Sequence, residues 1–168
     1  MSHSKLFVNR FAVCKAGRFV YDQEFHKGVN IIRGVNGTGK STVVDLLTYA
    51  LGAVVTEWTK EQRSCDWVMA EVLLNGGLYC VKRDVTDSGQ AKMAIFEGDF
   101  EDALTTVTGW TQYSMRRSTE RHSFSQQIFE LLGLPRHKTD DSKNLTLHQI
   151  LRLMYVDQLS GITKLLKE

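Results

Sequence analysis

Apolar residues dominate Leu6-Phe-Val-Asn-Arg-Phe-Ala-Val13, interrupted only by Asn9 and Arg10, and the run reads as a β-strand. Arg18-Phe-Val-Tyr-Asp-Gln-Glu-Phe25 alternates well enough to pair with it through a turn near Ala16-Gly17. Gly28 then precedes Val29-Asn-Ile-Ile-Arg33, a short apolar run of the kind that forms a buried strand. From Lys40 to Leu51 the period changes. Apolar residues at 43, 44, 46, 47, 50 and 51 share the broad face of a helix that stops at Gly52. Residues 53–66 read as a polar connection carrying Lys60 and Arg63.

Strand patterning returns at Val68–Leu74 and Leu78–Val85, joined at Asn75-Gly76-Gly77, residues that accept the positive φ of a hairpin turn. Lys92–Glu97 adds a third antiparallel strand after the Asp87-Ser88-Gly89 turn, and Phe100–Val107 reads as a short helix. Ser123-Phe-Ser-Gln126 and Thr146-Leu-His-Gln149 both fit the capping box, in which hydroxyl and carboxamide side chains satisfy free backbone N–H groups at a helix start. The first of these helices stops at Gly133 before Pro135, and the second runs into Leu151–Val156.

Between the apolar run and the first helix lies Gly34-Val35-Asn36-Gly37-Thr38-Gly39-Lys40-Ser41, a complete match to G-x-x-x-x-G-K-[ST] in the context that motif requires. Glycines let the chain turn several N–H groups toward one point, a nest for phosphate oxygens. Lys40 adds a mobile positive charge for β- and γ-phosphates. The Ser41 hydroxyl suits Mg²⁺, a small hard ion that takes oxygen ligands. The predicted cofactors are therefore ATP and Mg²⁺, with Asn36, Gly37, Thr38, Gly39, Lys40, Ser41 and Thr42 around the phosphates. The loop alone does not specify a reaction, because kinases, GTPases, motors and ABC-type ATPases share it.

The surrounding residues narrow this. Gly-x-Asn-Gly-x-Gly-Lys-Ser-Thr, the preceding Gly28-Val29-Asn30-Ile31-Ile32-Arg33-Gly34, the helix segment Val43–Leu47 and the meander opening Cys65–Leu74 resemble the N-terminal half of an SMC-like ATPase head. That group includes condensin-type SMC proteins, RecF, RecN and SbcC. Thr146–Gln158, ending in Tyr155-Val156-Asp157-Gln158, is similar to a stretch in SMC-like ATPases of Lamassu-type bacterial defence systems. The resemblance implies an α/β P-loop NTPase fold of the ABC-head type, with a mixed sheet and an antiparallel β-subdomain. It would place strands, loop and first helix in 1–52, a meander in 67–98 and a helical segment in 100–168. It also implies that Gln158 is a Q-loop residue reaching Mg²⁺ and the attacking water, and so catalytic together with Lys40.

Two parts of a working head are missing. An apolar strand ending in Asp-Glu is not found, and Leu159-Ser160-Gly161-Ile162-Thr163 only begins like the Leu-Ser-Gly-Gly signature. No long heptad pattern is present either. The chain therefore resembles the first half of a head, which alone would bind ATP with little turnover. The resemblance implies as partners the C-terminal half, a second head in an ATP-dependent homodimer, and DNA. A small P-loop kinase complete in one chain, or a non-catalytic module ordered by nucleotide, are the alternatives.

Composition changes this picture little. The 168 residues are 42% hydrophobic and 24% charged, as in ordinary globular proteins, and no run approaches the about 20 apolar residues of a membrane span. Met1-Ser-His-Ser-Lys5 lacks the apolar core of a signal peptide, and Cys14, Cys65 and Cys80 are odd in number and scattered. A cytosolic protein with reduced thiols is expected, with no membrane partner; Cys65 and Cys80 are expected in the core. The net charge of +2 conceals basic ends and an acidic middle. Lys60 and Arg63 lie near the place of an arginine linked to DNA and ATP sensing in SMC-like heads. Arg116, Arg117 and Arg121, with Trp110 and Tyr113 nearby, are a second candidate for phosphate-backbone contact. Asp45 and Glu71 are expected to be structural.

Overall fold

A computed structural model describes residues 5–86, 91–116, 122–134 and 146–154. Its strands are β1 (Leu6–Lys15), β2 (Arg18–Glu24), β3 (Trp67–Leu74), β4 (Gly77–Asp84), β5 (Met93–Glu97) and β6 (Thr111–Tyr113). They form one sheet in the order β2-β1-β3-β4-β5-β6, and every neighbouring pair is antiparallel. Its helices are α1 (Lys40–Ala50), α2 (Lys60–Arg63), α3 (Phe100–Thr105), α4 (Phe124–Leu131) and α5 (Leu147–Met154).

The two hairpins close as the turn residues dictate. Ala16 (φ 50°) and Gly17 (φ 71°) join β1 to β2, and Asn75 (φ 50°) and Gly76 (φ 95°) join β3 to β4. Positive φ at both central residues matches the right-handed twist of the flanking strands. Leu74 pairs directly with Gly77, so the second loop is one residue shorter than Asn75-Gly76-Gly77 suggests.

A register shift between Val8 and Arg10 in β1 lets Val8 join the same core as Phe11 while Arg10 turns to the opposite face. One face of the sheet buries Phe11, Val13, Val68, Ala70, Val72, Val81, Met93 and Ile95 against Leu46 and Tyr49 of α1, Phe124 and Ile128 of α4, and Leu147 of α5. Each such large side chain contributes roughly 1.5–3 kcal/mol on burial, so this layer fixes where α1 lies. The other face carries Ala12, Met69, Cys80 and Phe96 under Phe100 and Ala103 of α3.

The expected mixed sheet is not what the described residues form; their sheet is antiparallel throughout, and the segment expected as a buried strand, 29–33, is not part of it. A strand exists through hydrogen bonds to a neighbour, and none of the described strands is paired with this segment. Val29 is 79% exposed and Ile31 67%. Helix α2 forms inside the expected polar connection, and β6 extends the meander by three residues. Both later helices start at the anticipated caps. Gln126 N donates to Ser123 Oγ and Ser123 N to Gln126 Oε1, and Thr146 and Gln149 exchange the same two bonds.

Candidate functional site

The glycine loop leads directly into the N-terminus of α1. Gly37 (φ 84°) and Gly39 (φ 83°) both occupy the left-handed region that side chains disfavour. Gly39 is the N-cap, with no side chain to satisfy the first N–H groups of the helix, and the first turn contains no acid. The free N–H groups and the positive end of the helix dipole thus remain for an anion.

Lys40 is already drawn over the loop. Its Nζ donates to the carbonyls of Gly34 at 2.9 Å and Val35 at 2.7 Å. An ammonium has three donors, so two bonds fix its position and one stays available for a phosphate oxygen. The Thr38 hydroxyl also donates to Val35 O, at 2.8 Å. A Cβ on Gly34 would meet Thr38 Oγ1 at 2.6 Å, which explains why a glycine opens the loop where φ does not demand one. Ser41 stands exposed on the first turn of α1. These groups fit a triphosphate: N–H donors and an ammonium for its oxygens, and a hydroxyl for the accompanying Mg²⁺.

The cavity over the loop has a volume of about 820 Å³, within the range of small-molecule sites. Residues 36–43 and Leu46 form its floor. One wall is the β1–β2 hairpin, through Val13, Lys15, Val20 and Tyr21; another is α2 and the residues after it, through Glu61, Ser64 and Cys65. The hairpin and α2 walls were not anticipated from sequence. A signal existed for the second, because Thr59-Lys-Glu-Gln62 is a capping box like the two that located α4 and α5.

Cys65, expected in the core, packs against its edge while also lining the cavity. It is partly buried, and burial pushes its thiol pKa up, with Lys15 opposing and Asp66 and Cys14 adding to the shift. Cys80 is fully buried as expected, and burial pushes its thiol up to about 12. Asp45 accepts from Gln62 Nε2, and Glu71 from Asn9 Nδ2 and Phe100 N, so both acids have structural bonds. Trp110 donates from Nε1 to Thr106 O and packs on Phe96, while Arg116 is exposed. Gln158, the Leu159–Thr163 segment, Arg117 and Arg121 lie outside the described residues. Among the described residues, no helix is long and apolar enough to cross a membrane.

A complete glycine loop heading a helix that packs on a β-sheet is the arrangement of P-loop nucleotide-binding proteins. The AAA domain family matches residues 21–165, most of the chain. The chain belongs to that family, a group of P-loop ATPases that includes SMC- and SbcC-like proteins. A search of the curated proteins finds no match.

Proposed function

We propose that this chain is the N-terminal half of an SMC-like ATPase head, which binds ATP with Mg²⁺ and works with a second half on DNA. One observation supports the step from nucleotide binding to a composite site. The glycine cradle is formed, yet Val29 and Ile31 of the segment that leads into it are 79% and 67% exposed, and Val35 within the loop is 77% exposed. An exposed apolar segment outside the sheet is a candidate for strand addition. In this reading the C-terminal half lays a strand there, and the same strand carries the missing Asp-Glu pair to the phosphates.

Lys40 holds the β- and γ-phosphate oxygens through its remaining donor, and the N–H groups of the loop and α1 cradle the others. Mg²⁺ offsets part of the triphosphate charge, with Ser41 and Gln158 as its protein ligands. Gln158 also orients the attacking water. The signature of a second head covers the γ-phosphate, so a homodimer closes on ATP and reopens after hydrolysis, a γ-phosphate switch of an interface. DNA is the substrate of that clamp, in repair, chromosome organisation or antiviral defence, in the cytoplasm. The likeness of Thr146–Gln158 to SMC-like ATPases of Lamassu-type systems supports the last of these roles.

ATP turnover by the chain alone, and after adding a polypeptide with the Asp-Glu strand and signature, tests the proposal. Turnover only on complementation is expected. Robust turnover of the chain alone with a small acceptor would replace this reading with a kinase. Binding without turnover in both mixtures would favour a non-catalytic module.

A further inference from the structure

We propose that Gln62 is a positioning residue for the nucleotide cavity, tying the wall built around α2 to the helix that begins at the glycine loop. This rests on the assignment of the cavity to ATP. Gln62 is 1% exposed, although its neighbours Lys60, Glu61, Arg63 and Ser64 are all exposed. A four-residue helix has no stability of its own and takes its place from what it is bonded to.

Both ends of this side chain are used. Oε1 accepts from Thr59 N at 2.9 Å and closes the capping box of α2. Nε2 crosses to α1 and donates to Asp45 Oδ2 at 3.1 Å. A carboxamide buried to this degree is costly unless paired, and a bond to a carboxylate is among the stronger pairings. Asp45 stands five residues along α1 from Lys40. Glu61, on one side of Gln62, and Ser64 and Cys65, on the other, line the cavity opposite residues 36–43. The Gln62–Asp45 bond therefore sets the distance between a wall and the loop. A triphosphate seated on the loop leaves its nucleoside to meet the walls, so this bond governs the nucleoside end of the ligand.

Gln62→Glu separates the two uses. A glutamate still accepts from Thr59 N and keeps the capping box, but it faces the Asp45 carboxylate and breaks the link. The double change Gln62→Glu/Asp45→Asn restores a donor–acceptor pair with its polarity reversed. The measurement is Mg²⁺-dependent binding of ATP and of inorganic tripolyphosphate, which reaches only the loop. Gln62→Glu is expected to weaken ATP binding by about tenfold and leave tripolyphosphate binding unchanged, and the double variant to recover most of the loss.

Equal ATP binding by Gln62→Glu and the unchanged protein would overturn the inference. So would a parallel loss of both ligands, or a double variant no better than the single one, since each marks a role in folding alone. If the unchanged protein binds neither ligand, the ATP assignment itself fails and this inference falls with it.

Discussion

Arg83 and Tyr49 are joined twice. Nη1 of Arg83 donates to the Tyr49 carbonyl at 3.0 Å, and the guanidinium carbon lies 3.7 Å from the centre of the Tyr49 ring. The same Nη1 donates to Ala53 O at 2.8 Å, and the Tyr49 hydroxyl returns a bond to Asp84 O in β4 at 2.8 Å. The last turn of α1 has no basic residue, so a strand supplies the positive charge that its carbonyls and dipole favour. The phosphate-binding helix is thereby held at the end away from the phosphates.

Arg83 is 4% exposed, its Nε has no partner among the described residues, and burial lowers its pKa. Arg83→Met removes the buried charge but takes its donor from the Ala53 carbonyl and leaves the Tyr49 carbonyl with Gly52 N alone. We expect a loss of about 2–4 kcal/mol in urea denaturation. Arg83→Lys should lose more than half as much, because an ammonium cannot stack flat on the ring while bonding both carbonyls. A lysine variant as stable as the original would show that charge alone suffices.

Lys40→Ala should weaken ATP binding by about ten- to a hundredfold, the worth of one charge-assisted bond. Its effect on folding should be small, because the bonds from Lys40 to Gly34 O and Val35 O are exposed. Calorimetric titration with ATP, beside a thermal melt without it, separates the two effects. Equal affinity of variant and original would remove Lys40 from the site.

The loop glycines should fail for different reasons. Gly37 has open space around it, so Gly37→Ala costs only the positive φ, about 1–2 kcal/mol. Gly34→Ala instead drives a methyl onto Thr38 Oγ1 and displaces it from Val35 O. Adding Thr38→Ala should restore stability to the Gly34 variant and do nothing for the Gly37 variant. Melting temperatures of the four proteins check this; rescue of both, or of neither, contradicts the distinction.

Much of this arrangement was legible before the structure. The strand-like runs, the hairpin residues Ala16-Gly17 and Asn75-Gly76, and the caps at Ser123 and Thr146 are local signals, and local physics produced the elements they predict. Residues 29–33 show where such reasoning stops. Their apolar pattern is that of a buried strand, but a strand depends on a partner, and none of the described strands pairs with them. The site divides in the same way. Phosphate chemistry is written in consecutive residues, 34–41. The cavity walls come from Lys15, Val20, Glu61 and Cys65, which only the folding of the sheet and α2 brings to the loop. Arg83 gave no sequence signal, being one charge in a strand; its role follows from the end of α1 lying over it.

His148 makes stability depend on pH in a specific sense. Its Nδ1 accepts from Val54 N at 3.3 Å, joining α5 to the chain just past α1. That bond needs the ring neutral at Nδ1. Burial lowers the pKa, and the positive charges of Arg152 and Arg83 lower it further. The unfolded chain therefore takes up this proton more readily than the folded one below about pH 6.5. The contribution of His148 is complete above that pH. It is lost progressively as pH falls toward the folded pKa, and is constant once both states are protonated. His148→Asn keeps an acceptor for Val54 N without titrating. Between about pH 7.5 and 5 the original protein should lose melting temperature relative to this variant, while the two stay parallel above about pH 7. A difference that is flat across the whole range, or that grows in the original's favour with acid, would show that His148 does not hold α5 in its neutral form.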